Sequence, residues 1–484
     1  MLFRSDLASA TSSWSSKLIH GGLRYLEQYE FRLVAEALAE REILLNIAPH
    51  LVQPLQFVMP HVPQLRPRWM IRTGLFLYDH LGHRATAAGP RETRLPGSHG
   101  VSLKKPLYNA GLKAEFTYGF IYADCRVDDS RLVLTNALSA SECGAAILTR
   151  TECIAGKRIN DAWQLQLRSS SGVETTVTAR GIVNAAGPWV KQTLNDCLHQ
   201  ASNDSVRLVK GSHIVVQKQY AGNHAYILQN DDGRVIFMIP YQGRYTLIGT
   251  TDVALKCAPE RPQASSEEID YLCRAANRYL EKPLNPNDVV WSYAGVRPLY
   301  DDGSADASEV TRDYVLEVDG ADSRAPVLSV FGGKLTTYRK LAEQALERIA
   351  PFFPGLKPPW TARTPLPGGD MRGGFDAFAA DAARTYTWLP TRDLMALARR
   401  HGTRLDMVLD DASSIADLGQ PFGAGLYSRE VDFFVAHEWA RGTDDILYRR
   451  TKAGLHMTQA QRDAVASYLG RTSARAVSSS IRGR

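Results

Sequence analysis

The stretch Ser12-Ser13-Trp14-Ser15-Ser16-Lys17-Leu18-Ile19-His20-Gly21-Gly22-Leu23-Arg24-Tyr25-Leu26 gathers hydroxyls, a glycine pair, an imidazole and two cations close to the start of the chain. Hydroxyls and exposed backbone N–H groups suit a phosphate or a ribose, and Gly21-Gly22 lets the backbone approach a flat ring closely. His20 and Arg24 stand four residues apart, so one turn of chain can aim both at one substrate. For Ser12 to Ser16 alone, a serine-rich cap before an ordinary amphipathic helix is an equally good reading. The whole run asks for a ligand.

The chain has 484 residues, 44% of them hydrophobic, which exceeds one core and predicts two or three globular domains. Its six cysteines, Cys125, Cys143, Cys153, Cys197, Cys257 and Cys273, show neither a C-x-x-C pair nor a regular spacing, so reduced thiols in a cytosolic compartment are the simplest expectation. His437-Glu438 is no zinc motif, because Arg441 stands where H-E-x-x-H needs its second histidine, and no metal is expected. The net charge of +6 comes without a Lys/Arg block interleaved with aromatics. That argues against nucleic acid and fits a small anionic substrate or an anionic lipid surface. No apolar run approaches the ~18 to 20 residues of a spanning helix, and Met1 to Asp6 carry no apolar signal core.

Glu30 to Ala48 reads as a helix, with Val34, Leu38 and Leu45 on one face and Pro49 as its stop. Pro54 to Pro106 reads as an inserted, irregular segment rich in Pro, Arg and aromatics. Strands are expected at Ala145 to Cys153, Trp163 to Leu167, Thr175 to Val183, Arg207 to Val216, Val235 to Pro240, Tyr245 to Thr250 and Val289 to Tyr293, the later ones forming an antiparallel sheet. Six prolines between Pro351 and Gly369 predict a linker, and a helical domain should follow from Ala377. Arg471 to Arg484, poor in apolar residues, is expected to be disordered.

Further motifs stand at Tyr29-Glu30-Phe31-Arg32-Leu33, Val183-Asn184-Ala185-Ala186-Gly187-Pro188-Trp189, Lys210-Gly211-Ser212-His213-Ile214-Val215-Val216, Gly249-Thr250-Thr251-Asp252, Gly295-Val296-Arg297-Pro298-Leu299 and Phe331-Gly332-Gly333-Lys334-Leu335-Thr336-Thr337-Tyr338-Arg339-Lys340. With the opening run, and in this order, they resemble the FAD-dependent glycerol-3-phosphate dehydrogenases of the respiratory, quinone-linked type. The resemblance implies an α/β protein: an FAD-binding doubly wound fold, N-terminally incomplete, with an antiparallel-sheet substrate domain and a C-terminal helical domain. The expected division is residues 1–48, 121–205 and 325–350 for FAD, 49–120 and 206–324 for substrate, 351–369 for the linker, 370–470 for the helical domain and 471–484 for the tail.

The resemblance further implies that Ser12, Ser13, Ser16, Lys17, Leu18, Gly21 and Gly22 line FAD, that Ala186 and Gly187 approach it, and that Gly333, Lys334, Leu335 and Thr336 sit near the flavin ring. Thr336-Thr337 reads as a helix start whose N–H groups could face that ring, and a plain N-cap explains it equally well. Arg24, Arg297, Arg312 and Lys334 supply the convergent cations that a phosphate dianion calls for, with Tyr25 either orienting the substrate or packing. His20 and His213 are the candidate bases. The implied reaction oxidises sn-glycerol 3-phosphate to dihydroxyacetone phosphate by hydride transfer to FAD, with electrons passed to quinone. Two rival readings are an amine or amino-acid oxidase on the same fold, and an inactive remnant deficient in FAD.

The family opens with a strand, a G-x-G-x-x-G turn and a helix, whose N-terminus holds the FAD pyrophosphate. No such unit precedes Ser12, and Gly423-Ala424-Gly425, with Ser428 in place of the third glycine, is no substitute. Met1 to Ser5 reads as a replacement start, from a mis-assigned start codon, a fragmentary gene or a deletion, and weak FAD binding is the expectation. The expected location is cytoplasmic, peripheral on the inner face of the cytoplasmic membrane, and the resemblance allows a homodimer. The candidate membrane contact is Arg66 to Arg84, where Trp69, Met70, Ile71, Leu75, Phe76, Leu77 and Tyr78 mingle with Arg66, Arg68, Arg72, His80, His83 and Arg84. A buried helix with a solvated cationic side is the alternative.

Overall fold

The strand Val206–Gln217 organises the larger part of the molecule. One edge pairs antiparallel along its length with Val289–Tyr300, with Gly211 opposite Gly295 and His213 opposite Tyr293. Its other edge takes Val253–Leu255 near the start and Tyr245–Gly249 towards the end, where His213 faces Gly249. From there the sheet continues through Val235–Tyr241, Ala225–Gln229, Val52–Pro60 and Tyr118–Val127 to Leu18–Ile19, while His99–Ser102 joins at Tyr118–Val127, making ten strands. The computed structural model describes residues 1–85, 95–200, 202, 204–301, 313–319 and 325–482, with side chains at 1–81 and up to 471 in those ranges. Arg312, and the side chains of His83 and Arg84, lie outside the described residues.

Both faces of this sheet are covered, so its strands are apolar at successive positions: Ile214, Val215 and Val216 are all buried. Val215, Leu247, Phe57 and Tyr122 pack under the helices Phe31–Ile47 and Arg68–Ala85, which contribute Val34, Leu38, Ile71, Leu75 and Tyr78. Ile214, Val216, Ile236, Met238 and Ile248 pack on the opposite face against Leu272, Cys273 and Ala276 of the helix Ser266–Asn277. A capping box between Ser265 and Glu268 starts that helix.

Outside this sheet, the parallel pairs among the described residues are Leu2–Phe3 with Leu148–Thr149, and Ile182–Asn184 with Val327–Phe331. Val315–Asp319 adds antiparallel to the second pair, and Thr151–Ile159, Ala162–Ser169 and Glu174–Ala179 form a separate meander. The C-terminal part is helical, around Leu394, Leu405 and Leu409 on one side and Val431, Phe434 and Ile446 on the other.

Several expectations need correcting. Pro54 to Pro106 is no irregular insert, since Val52–Pro60 is a sheet strand, Arg68–Ala85 a helix and His99–Ser102 a further strand. Proline is tolerated because Val52–Pro60 is bonded along its length only to Tyr118–Val127 and meets Ala225–Gln229 at Phe57 and Val58 alone, leaving Pro54 edge-like. The strand expected over Thr175 to Val183 breaks into two at Arg180-Gly181, where a Cβ on Gly181 would lie 2.8 Å from Phe353. Ala145 to Cys153 likewise divides, into Leu148–Thr149 and Thr151–Ile159. Val289–Tyr300 runs seven residues beyond Tyr293 because Val206–Gln217 offers a partner throughout. The tail expected to be disordered continues the helix Gln459–Arg482, consistent with the good helix propensity of its Ala and Arg residues. Gly423-Ala424-Gly425 forms the turn between Pro421–Gly423 and Leu426–Tyr427, all three residues at positive φ.

Candidate active site

The loop before Leu18–Ile19 is tied down by hydrogen bonds to two other parts of the chain. Thr11 Oγ1 donates to the Val296 carbonyl at 2.8 Å, and Trp14 packs so closely over Gly295 that a Cβ there would lie 2.9 Å from its own. Ser13 is buried, 3.0 Å from Ser130 Oγ and bonded to the Ala8 carbonyl. Lys17 takes a left-handed conformation (φ 58°) and turns inward, donating from Nζ to Asp129 at 2.8 and 3.0 Å and to the Ser13 carbonyl at 2.7 Å. Its charge therefore shapes the loop. Ser12 is exposed, and Ser16 Oγ meets His213 Nε2 at 2.9 Å.

Leu18–Ile19 carries the chain from Ser16 to His20. Beyond it, the Gly21 N–H donates to Tyr78 Oη at 2.8 Å, Tyr78 donates to Asp124 at 2.7 Å, and Arg41 closes the set at 2.7 Å on the other Asp124 oxygen. A side chain on Gly21 would strike Leu38 and Tyr78, and Gly22 stands at φ 76°, so the pair serves close packing and a left-handed turn. Burial lowers the His20 pKa, Asp124 opposes the shift and Lys334 adds to it. Thr336 Oγ1 donates to the His20 carbonyl at 3.3 Å, bringing Leu335 and Thr336 beside it, and Lys334 Nζ lies 4.1 Å from the centre of the Tyr25 ring. Arg24, next to Tyr25, is exposed.

His213 lies across the sheet, reached from His20 through Phe237, whose ring is 6.2 Å from His20 and which pairs with Gly249 opposite His213. Tyr293 stacks on the His213 ring at 4.8 Å and donates to the Ser15 carbonyl at 2.8 Å. Burial pushes the His213 pKa well below 6.5, helped by the Arg297 and Lys17 charges, and its buried Nδ1 has no hydrogen-bond partner among the described residues. Arg297 pairs with Asp252 and donates to Thr250 Oγ1 at 2.8 Å and the Thr251 carbonyl at 3.2 Å. Asn184 donates to the Val190 carbonyl at 2.9 Å and shapes the Ala186–Gly187 turn, with Gly187 at φ 57°. Gly332 and Gly333 stand at φ 89° and 109°, and Thr337 precedes the helix Tyr338–Ile349 without a side-chain cap.

One group therefore unites His20, Tyr25, Lys334 and Thr336, and a second unites Ser16, His213 and Arg297. Asp129, Asp124 and Glu268, the last bonded to Ser212, Thr251 and Lys210, were not marked by the sequence, and Asp252 stood in a motif without a role. Asp128-Asp129 ahead of an apolar run was a readable helix start, and Asp128 does cap Asp129–Glu142 by accepting from the Arg131 N–H.

Residues 2–339 match the model of the FAD dependent oxidoreductase family, and residues 359–472 match that of the C-terminal domain of alpha-glycerophosphate oxidase. The chain is 51% identical to a glycerol-3-phosphate dehydrogenase of Pseudomonas aeruginosa, covering 96% of itself and 88% of that protein. The chain belongs to the FAD-dependent glycerol-3-phosphate dehydrogenases. It is 48% identical to the aerobic glycerol-3-phosphate dehydrogenase of Escherichia coli, covering 97% of itself and 92% of that protein. The crystal structure of the Bacillus halodurans glycerol-3-phosphate dehydrogenase complexed with FAD superposes with a TM-score of 0.70 at 26% identity, over 97% of this chain and 88% of that one. FAD is the cofactor, and glycerol 3-phosphate the substrate oxidised. The residues present fit a flavin: Gly332 and Gly333 take left-handed conformations with their Cβ positions filled by Asp313 and Leu341, Ser16 brings a hydroxyl, and His213 keeps a buried nitrogen with no partner among the described residues. Neither rival reading gains support.

Proposed function

We propose that the two histidine groups divide the oxidation of glycerol 3-phosphate between them. FAD supplies the hydride acceptor for C2 of the substrate. Arg24, Arg297 and Lys334, with Arg312 from outside the described residues, hold the phosphate, and Tyr25 under Lys334 limits where that cation can stand. His20 takes the proton of the C2 hydroxyl, and His213 orients Ser16 towards the cofactor. The observation that carries this reading is the placement of the two imidazoles, His213 buried and stacked on Tyr293 near Arg297 and His20 half-buried between Asp124 and Lys334, where loss of solvent lowers both pKa values and favours the neutral ring a base needs. His20→Asn should lower kcat about 10²–10⁴-fold, the usual contribution of a general base, and His213→Asn should act first on flavin binding. Stopped-flow reduction of the flavin by glycerol 3-phosphate separates the two. Equal losses of kcat with unchanged flavin affinity in both variants would contradict the division.

Electrons then pass to quinone at the membrane surface, with the enzyme bound peripherally. No described helix is long and apolar enough to cross a membrane. Support for surface contact comes from Arg68–Ala85, where Trp69 is 71% exposed and Phe76 50%, beside Met70 and Leu77.

A further inference from the structure

Asp129 is fully buried and collects bonds from two consecutive parts of the cofactor loop. Ser15 donates to Oδ2 from its hydroxyl at 2.7 Å and from its N–H at 3.3 Å, and Lys17 Nζ donates to both oxygens. Ser15 and Lys17 flank Ser16, whose own hydroxyl points elsewhere, to His213. The carboxylate thus fixes both neighbours of the residue that meets the imidazole. A second route ends at the same ring, for Lys17 lies 5.1 Å from the Tyr293 ring, which stacks on His213. Asp128 caps the helix by accepting the Arg131 N–H, and Asp129 Oδ1 accepts the Ser130 N–H at 2.8 Å, so one oxygen also serves the first helical turn while Oδ2 is turned to Ser15 and Lys17. Lys452, from the C-terminal part, lies 3.4 Å from the half-buried Asp128 and 3.3 Å from Ser130 Oγ, so Lys17 and Lys452 stand against Asp129 and Asp128 here.

We propose that Asp129 is a positioning residue for the reaction: it holds Ser15 and Lys17 so that Ser16 is presented to His213 and the flavin. The proposal rests on the reading that this loop contacts the flavin. Its weight falls on loop geometry and leaves the phosphate clamp alone, so the effect belongs in flavin affinity and kcat and spares the KM for glycerol 3-phosphate.

The test compares Asp129→Asn, Ser15→Ala and Ser16→Ala in the full chain, reading the FAD dissociation constant by reloading deflavinated protein and kcat and KM by steady-state assay. Asp129→Asn should weaken FAD binding and lower kcat by about tenfold or more, the effect of losing one hydrogen bond to a charged group, with KM changed less than about twofold. Should Asp129→Asn fail to fold, Ser15→Ala decides alone, since it deletes one hydroxyl and should shift both quantities in the same direction by about threefold. Wild-type flavin affinity and kcat in the folded variants would overturn the proposal, whatever happens to their melting temperatures. If Ser16→Ala impairs both quantities in that case, the flavin reading of the loop stands and only the role of Asp129 falls. If Ser16→Ala is also silent, the reading itself falls and takes the proposal with it.

Discussion

At the scale of single residues, the site holds two imidazoles out of water, His213 near Arg297 and Lys17 and His20 between Asp124 and Lys334. Burial lowers the pKa of His20 and of His213, so each takes up its proton only below the ordinary value of 6.5. In that window the unfolded chain binds protons that the folded one refuses, so stability is lost as pH falls below about 6.5 and is unaffected by these groups above it. The same sign applies to catalysis: kcat/KM should stay level as pH drops to 6.5 and fall only at lower pH, where the base is protonated. A profile already falling above pH 6.5 would be inconsistent with two imidazoles held neutral. The clamp makes a separate prediction. Lys334→Ala or Arg297→Ala should cost about 2–4 kcal/mol in kcat/KM for glycerol 3-phosphate and leave glycerol nearly unaffected, as measured by paired assays on the two substrates. Equal losses on both substrates would assign these residues to the fold or the flavin. His20 and His213 stood out as candidates in the sequence through the neighbouring Gly21-Gly22 and Gly211-Ser212. Asp129 was not, because its partner Lys17 is 112 residues away and nothing local marks the pair.

At the scale of elements, Arg68–Ala85 is apolar on two sides. Ile71, Leu75 and Tyr78 are buried against the sheet, while Trp69, Met70, Phe76 and Leu77 face outward. Two of its neighbouring cations are already engaged, Arg72 with Ser98 and Arg66 with Glu27, and Arg68 lies over the Tyr118 ring at 4.1 Å. Outward aromatics on a helix anchored from beneath suit insertion into a lipid headgroup boundary. Trp69→Glu with Phe76→Glu should abolish sedimentation with anionic liposomes while leaving the fold and the flavin spectrum intact. Unchanged binding by the folded double variant would remove this helix from the membrane contact. The helix Phe31–Ile47 was readable from its apolar spacing almost to the residue. Val52–Pro60 was not, because proline argues against a strand unless one knows that its second edge is mostly unpaired.

At the scale of the whole molecule, the C-terminal part is joined to the rest by buried charges. Arg131 pairs with Glu438 at 2.6 and 3.0 Å, Arg449 and Arg450 meet Asp6, and Arg150 meets Asp445 at 2.5 Å. His50 sits among Arg131, Arg399 and His401, and burial first, then these cations, lowers its pKa to about 3. Removing one member of a buried pair leaves a bare charge, so Glu438→Ala should destabilise the protein by about 3–5 kcal/mol in denaturant melts. Between pH 6.5 and about 3, protonation of His50 should weaken this junction, and His50→Gln should flatten the fall of melting temperature over that range. This junction was invisible in the sequence, since each cation read alone resembles a solvated surface charge, whereas the division into an oxidoreductase part and a helical part was legible from the proline-rich stretch and the motif order. The most direct measurement is an anaerobic titration of the flavin-loaded protein with glycerol 3-phosphate, with a four-carbon polyol phosphate, glycerol and glycine as comparisons. Bleaching of the flavin absorption by glycerol 3-phosphate, with one dihydroxyacetone phosphate formed per flavin and no response to glycine, is the predicted result; a flavin that glycine bleaches and glycerol 3-phosphate does not would contradict it.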